Sequence, residues 1–326
     1  MKILFMGTGE IGAPTLRWLA QSGHEILGVF TQPDRPAGRK SVMTPPPIKV
    51  LAEELGLQVF QPERLRNPDV QAEIGAMGAD LIIVIAYGQI LPKSVLEAPG
   101  IACWNLHASI LPKYRGAAPI QAAILAGDHE SGVTLMYMDE GLDTGDVLLI
   151  ETLSLAKDET GGSLHDRLAE LAPLALEKGI KALAQEAGAP RSPQDETLAT
   201  HVGKLGREDG RIDWARSAVE IERMIRAYHP WPGTATSVLQ GEGGGIGAAT
   251  RPKKLKILPP SIVEEVAPHD SAPGSVLRAD KSGLLVATGD ERQALRVTRV
   301  QPESKKAMDV GAYLSGRPFG DGGRLQ

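Results

Sequence analysis

The sequence predicts an α/β protein: a Rossmann-like, mostly parallel sheet domain followed by a small β-barrel, for which an OB-like form is one option. Three observations predict it. Short apolar runs alternate with segments of helical spacing through the first half, as parallel sheets require. Five short β-rich runs separated by turn residues fill the last third. A polar stretch bearing Pro190 and Pro193 lies between the two patterns.

Taken in order, Lys2 to Met6 reads as a strand, Ala13 to Gln21 as a helix and Glu25 to Phe30 as a second strand. Further strands are expected at Gln58 to Phe60, at Ala79 to Ala86, the most continuous apolar run, and at Ile101 to His107. Val70 to Met77 and Ala118 to Ala126 carry helical spacing between them. Ligands of such a doubly wound sheet bind beyond the carboxyl ends of its strands. Gly132 to Met138 and Val147 to Leu155 read as an antiparallel addition, and Leu164 to Ala187 as a closing helix interrupted near Pro173. Gly188 to Leu198 is the best linker candidate. The expected division is therefore a catalytic domain over 1–189, a linker over 190–207 and a barrel domain over 208–326.

Beyond the linker, Ser217 can cap a helix running to Tyr228, stopped by Pro230 and Pro232. Strands are expected at Thr234 to Leu239, Leu255 to Leu258, Gly274 to Leu277, Leu284 to Thr288 and Leu295 to Val300. In the last of these, Leu295 and Val297 alternate toward the core while Arg296 faces outward with Thr298. The run from Gly241 to Gly247 reads as a flexible turn.

Composition narrows the function class. At 326 residues there is room for two cores. No apolar run reaches the roughly 18 residues of a membrane span, and Ile3 to Met6 is too short for a signal-peptide core, so a cytoplasmic protein is expected. The single cysteine, Cys103, excludes an internal disulfide, argues against a metal site, and reads as buried. An aromatic content of 4% argues against a stacking platform for single-stranded nucleic acid. The net charge of −5 divides into −9 over residues 1–202 and +4 over 203–326, a distribution that suits a polyanionic partner or a mildly basic surface.

The chemistry concentrates in Asn105-Leu106-His107 and in Gly141-Leu142-Asp143-Thr144-Gly145-Asp146. Asn105 and His107 stand two apart at a strand end and share a face. An amide that donates to an oxyanion, an imidazole that moves a proton and a carboxylate to orient it suffice for acyl transfer when the substrate brings its own amine. Gly7-Thr8-Gly9-Glu10-Ile11-Gly12 also matches the dinucleotide fingerprint, which keeps an NAD-dependent oxidoreductase as an alternative. The second strand, however, ends Phe30-Thr31-Gln32, without the acid that would hold a ribose hydroxyl.

Asn105, His107, Ser109, Leu111-Pro112 and Tyr114-Arg115-Gly116, followed by Asp143, resemble the signature of the folate-dependent formyltransferase family. Thr31 to Lys40 looks like the loop inserted in the methionyl-tRNA formyltransferases of that family, and Ala86 to Pro92, Gly116 to Gln121, Pro230-Trp231-Pro232 and Lys305 to Met308 extend the likeness. Ile110 and Trp104 depart from the residues more usual at their positions.

The resemblance implies a cytoplasmic monomer that moves the formyl group of 10-formyltetrahydrofolate to methionyl-initiator tRNA without a metal. It implies catalysis by Asn105, His107 and Asp143, and folate contacts from Tyr87, Gly88, Ile90, Leu91, Ser109, Ile110, Leu111 and Pro112. The tRNA contacts it implies are Arg35, Arg39, Lys40, Lys254, Lys256, Lys305 and Lys306. Arg292, Arg296 and Arg299 are further candidate phosphate contacts. Alternatives are a relative acting on a small amine and a catalytically silent RNA-binding protein on the same fold.

Overall fold

The computed structural model describes every residue except 39–40, 186–188, 240–252 and 317–322. It divides into two compact units, one of residues 1–119, 130–154 and 165–203, the other of 120–129, 155–164 and 204–326. Up to residue 203 the strands are β1 (Lys2–Gly7), β2 (Glu25–Phe30), β3 (Arg35–Ala37), β4 (Val42–Thr44), β5 (Val59–Phe60), β6 (Leu81–Ile85), β7 (Ala102–His107), β8 (Arg115–Gly116), β9 (Glu130–Tyr137), β10 (Val147–Ser154) and β11 (His201–Val202). Over the same span the helices are α1 (Ala13–Gln21), α2 (Pro47–Glu54), α3 (Pro68–Ala76), α4 (Lys93–Leu96), α5 (Pro119–Ala126) and α6 (Gly161–Leu183).

The main sheet has the order β10-β9-β7-β6-β1-β2-β5. Strands β5, β2, β1, β6 and β7 run parallel, while β9 is antiparallel to both β7 and β10. Continuous apolar runs such as Leu81–Ile85 are buried along their whole length, as parallel strands covered on both faces require. The chain moves outward from β1 through β2 to β5, then returns to β6 and β7. Strand order therefore reverses between β1 and β6, where a ligand crevice is expected.

Two glycines of the fingerprint are explained by packing. A Cβ on Gly7 would lie 2.7 Å from the Phe5 ring, and one on Gly12 would lie 2.9 Å from Ile85 Cγ2. Both positions thus serve the tight passage from β1 into α1.

The closing helix is not interrupted. α6 continues through Pro173, although the proline removes one backbone donor. Leu168, Ala172, Ala175 and Leu176 are buried on either side of it, and that burial outweighs the lost bond. Further along, a Cβ on Gly179 would stand 2.3 Å from Leu135 Cδ2, so the helix lies directly against β9 there. Trp104, fully buried, meets the Tyr137 ring edge-on.

In the second unit, α7 (Ala218–Ala227) is followed by β12 (Thr234–Leu239), β13 (Lys253–Glu265), β14 (Val276–Asp280), β15 (Gly283–Ala287), β16 (Gln293–Pro302), β17 (Met308–Asp309), α8 (Val310–Gly316) and β18 (Arg324–Leu325). Ser217 and Glu220 form a reciprocal capping box at the start of α7. The antiparallel order is β14-β15-β16-β13-β12-β18, with β17 on β16. The ends of this order meet: the Leu325 amide donates to the Gly274 carbonyl at 2.8 Å and the Val276 amide to the Gly323 carbonyl at 3.1 Å. The sheet thereby curls into an OB-like barrel around Ile221, Ile225, Leu255, Ile257, Leu295, Val297 and Val300.

Two expectations for this unit need correction. The strand expected to end at Leu258 continues to Glu265, its register shifting between Leu258 and Ser261 at Pro259-Pro260, because an irregularity absorbs the missing donors. Arg296 is not a solvent-facing phosphate contact. It is buried, bonded to both carboxylate oxygens of Glu264 and, at 2.9 Å, to Ser282 Oγ. A charge covered by the sheet needs such partners. The expected turn from Gly241 to Gly247 lies outside the described residues.

Candidate active site

Asn105 and His107 close β7 at its carboxyl end, both buried and on one face, as strand alternation dictates. Asp143 comes from the loop between β9 and β10. Its Oδ1 lies 3.5 Å from Asn105 Nδ2, and its Oδ2 lies 3.7 Å from His107 Nδ1 and accepts from the Gly116 amide at 2.8 Å. The three residues named from sequence are thus brought together. Asp143 adopts a φ of +54°, a left-handed conformation that a non-glycine residue holds only when its surroundings fix it.

The second nitrogen of His107 is also engaged. Nε2 stands 2.9 Å from the Tyr114 carbonyl; a carbonyl only accepts, so the proton sits on Nε2. Nδ1 therefore faces the Asp143 carboxylate.

Around this centre the expected folate-contacting residues divide by exposure. Tyr87, Leu91, Ser109 and Leu111 are buried, Ile110 and Pro112 are half-buried, and Gly88 and Ile90 are exposed. Ser109 spends its hydroxyl on the Lys113 carbonyl at 2.6 Å, and Thr134 Oγ1 links the Ser109 carbonyl at 2.6 Å to the Leu111 amide at 3.1 Å. These bonds leave the segment a prearranged wall whose free groups are largely backbone. At the reversal of strand order, Thr8 Oγ1 donates to the Tyr87 carbonyl at 2.7 Å.

A strap from residue 192 to 202 completes this unit. Ser192 exchanges both backbone bonds with Val147, and β11 pairs with β8 in parallel. Gln194 Nε2 donates to the carbonyls of Asp143 at 2.9 Å and Gly145 at 2.7 Å. Gln194 Oε1 accepts from buried Arg115 at 2.9 and 3.1 Å, and Arg115 also forks onto Glu196 at 2.8 and 2.9 Å. That guanidinium holds the Glu196 carboxyl below its ordinary range. Gln194, Glu196 and the Tyr114 carbonyl carry no signal in the sequence. Arg115 belongs to the signature, but its partners lie 79 and 81 residues away.

Among the basic candidates, Arg35 is exposed on the β3–β4 hairpin and bonds Gln32 Oε1 at 3.1 Å. Arg39 and Lys40 lie outside the described residues. Asp34, at the base of that hairpin, is held by Gln61 at 2.8 Å and Lys49 at 2.9 Å, which keep its carboxyl below the usual range. It is the nearest acid after β2, and it is committed to these partners, which further weakens the NAD reading. Lys254, Lys256, Lys305 and Lys306 are all exposed, and the register Lys256↔Gln301 places β13's first residues beside β16's last. The Gln301 side chain ties down the turn by donating to the Lys305 carbonyl at 2.9 Å. The four lysines therefore gather at one end of a strand pair.

Among the described residues, no group of three or more His, Cys, Asp or Glu is placed to hold a metal, and no helix is long and apolar enough to cross a membrane.

Residues 1–180 match the formyl transferase family model, and residues 204–318 match the formyl transferase C-terminal domain. HypX from Aquifex aeolicus, solved in complex with tetrahydrofolic acid, is similar at 19% identity and a TM-score of 0.58, over 96% of this chain and 47% of that one. The chain thus spans about half the length of HypX. WlaRD, a sugar 3N-formyl transferase solved in the presence of dTDP and 5-N-formyl-THF, is similar at 16% identity and a TM-score of 0.63, over 94% and 99% of the two chains. An N-formyltransferase from Helicobacter canadensis, in complex with folinic acid and dTDP-3-aminofucose, is similar at 15% identity and a TM-score of 0.60, over 91% and 99%. At such identities the likeness is one of fold.

Proposed function

The chain belongs to the formyl transferase family, and from that premise we propose that it transfers the formyl group of 10-formyltetrahydrofolate to the α-amine of methionyl-initiator tRNA, giving N-formylmethionyl-tRNA for translation initiation. The observation that carries the reading is the convergence of Asn105, His107 and Asp143 at the carboxyl end of β7.

The neutral amine attacks the formyl carbon, and the carbonyl oxygen gains charge as the new C–N bond forms. Asn105 Nδ2 donates to that oxygen. Because His107 Nε2 is fixed on the Tyr114 carbonyl, the proton that moves is on Nδ1. Asp143 stabilises the imidazolium, which protonates the folate nitrogen as its bond to the formyl carbon breaks, and the proton that the attacking nitrogen sheds on becoming an amide restores the imidazolium. The Tyr87 to Leu91 and Ser109 to Pro112 segments form the wall on which the pterin rests.

Two features favour tRNA as acceptor: the basic segment that follows Thr31, whose Arg35 is exposed, and the four gathered lysines of the barrel. A second reading, transfer to a small amine such as a dTDP-linked amino sugar, draws support from WlaRD and the Helicobacter canadensis enzyme, whose chains are covered almost completely. Incubation with 10-formyltetrahydrofolate and, in parallel, methionyl-tRNA, a dTDP-amino sugar or NADH separates the readings. Formylated methionyl-tRNA is the expected product; formylation of the sugar alone, or oxidation of NADH, would overturn the proposal.

A further inference from the structure

We infer that Gln194 is a positioning residue for formyl transfer, setting the catalytic carboxylate by holding its loop from behind; the inference rests on the function proposed above. Asp143 sits in a left-handed conformation at a φ of +54°, a geometry that costs free energy unless neighbours enforce it. Both hydrogens of the Gln194 amide are spent on this loop, one on the Asp143 carbonyl and one on the Gly145 carbonyl. A single side chain thereby clamps the peptide units that bracket Thr144 and Gly145.

The clamp is itself aimed. Arg115 donates twice to Gln194 Oε1, which fixes the amide so that its nitrogen must point at the two carbonyls. Arg115 is 1% exposed and keeps its fork on Glu196, so its orientation does not depend on Gln194. The adjoining Gly116 amide donates to Asp143 Oδ2. One signature dipeptide, Arg115-Gly116, therefore sets Asp143 by two routes: directly at the carboxylate, and through Gln194 at the backbone. The catalytic carboxylate must lie within a few tenths of an ångström of its productive place, since a misplacement of about 1 Å can cost on the order of 100-fold in rate.

Gln194→Glu and Gln194→Met separate this role from simple support of Arg115. A glutamate keeps anionic acceptors for Arg115 but has no hydrogens for the two carbonyls; methionine keeps the volume and neither function. Both variants are expected to lower kcat about 10- to 100-fold with KM for the folate and for the acceptor within about twofold, while Gln194→Glu keeps the thermal midpoint of the wild type. Hydrogen exchange at the Gly116 amide should speed up in both, a readout that needs no turnover. Wild-type kcat in Gln194→Glu, or a raised KM at unchanged kcat, would overturn the inference. If the wild-type chain transfers no formyl group, the proposed function fails, and unaltered Gly116 exchange in the variants would separately refute the positioning.

Discussion

Each side chain of the proposed centre has one task, which makes single substitutions informative. Asn105→Ala removes an oxyanion donor, His107→Ala the group that moves the proton, and Asp143→Asn the charge that stabilises it. Each should slow single-turnover transfer by about 10²- to 10³-fold while tRNA binding stays nearly unchanged; near-normal turnover in any one would remove its role. Cys103 offers a second test, on the same face of β7 but away from chemistry. Burial pushes its thiol from 9.0 up to about 12, so the unfolded chain releases this proton at a lower pH than the folded one. Its contribution to stability is complete below pH 9 and declines above it, at up to about 1.4 kcal/mol per pH unit. Urea unfolding at pH 8, 9 and 10 should show a shallower alkaline loss in Cys103→Ala than in wild type, and parallel losses would contradict the burial. Asn105 and His107 were legible because strand alternation alone pairs them, and Asp143 because its Gly-flanked motif travels with theirs. Gln194 and the Tyr114 carbonyl were not, since their bonds join segments far apart in sequence, or backbone atoms that every residue possesses.

At the level of elements, legibility followed local pattern. Strands β1, β2, β6 and β7 and helices α1 and α7 could be read because the apolar period agrees with the fold there and, for α7, a capping box marks the start. Pro173 misled because the burial that sustains α6 is tertiary, and Pro259-Pro260 misled because the partner strand tolerates an irregularity. Gly179 shows the same dependence on partners. Replacing it with Ala improves helix propensity by about 1 kcal/mol, but the new methyl would meet Leu135 Cδ2 at 2.3 Å. Leu135 is fully buried, so its side chain would have to shift within a packed core. Overpacking of this kind costs about 1 to 3 kcal/mol, so Gly179→Ala should lower the urea midpoint; a raised midpoint would show that the sheet yields. The β3–β4 hairpin is the opposite case, an element whose large apolar side chains Val42 and Met43 stand 60% and 59% exposed. Deletion within residues 34–40 should raise the apparent KM for methionyl-tRNA and spare folate binding. An equal loss of folate affinity would assign the hairpin to the donor pocket instead.

For the whole molecule the question is how a chain of net charge −5 would bind the polyanion proposed as its acceptor. Residues 1–202 carry −9 and residues 203–326 carry +4, so attraction has to come from local clusters, and the structure decides which cations are available. Arg296 is withdrawn by Glu264, and Arg278 is paired with Asp280 at 3.1 Å. Lys254, Lys256, Lys305 and Lys306 form no ion pair with a described residue, and the pairing of β13 with β16 collects them from positions some 50 residues apart in sequence. Neither fact could be read from charge counting, because the sequence shows a charge but not the partner that cancels it. Exposed lysines that meet phosphates release counterions, so each contact steepens the dependence of affinity on salt by roughly 0.7 to 0.9 log units per log unit of salt. Substituting all four lysines with Ala should therefore flatten the salt dependence of the apparent KM for methionyl-tRNA by up to about 3.6 units and weaken all tRNAs alike. kcat at saturating tRNA should be unaffected, since Asn105, His107 and Asp143, which carry the proposed chemistry, are left in place. An unchanged slope would leave these four lysines as ordinary solvated charges and move the search for phosphate contacts to the segment that follows Thr31.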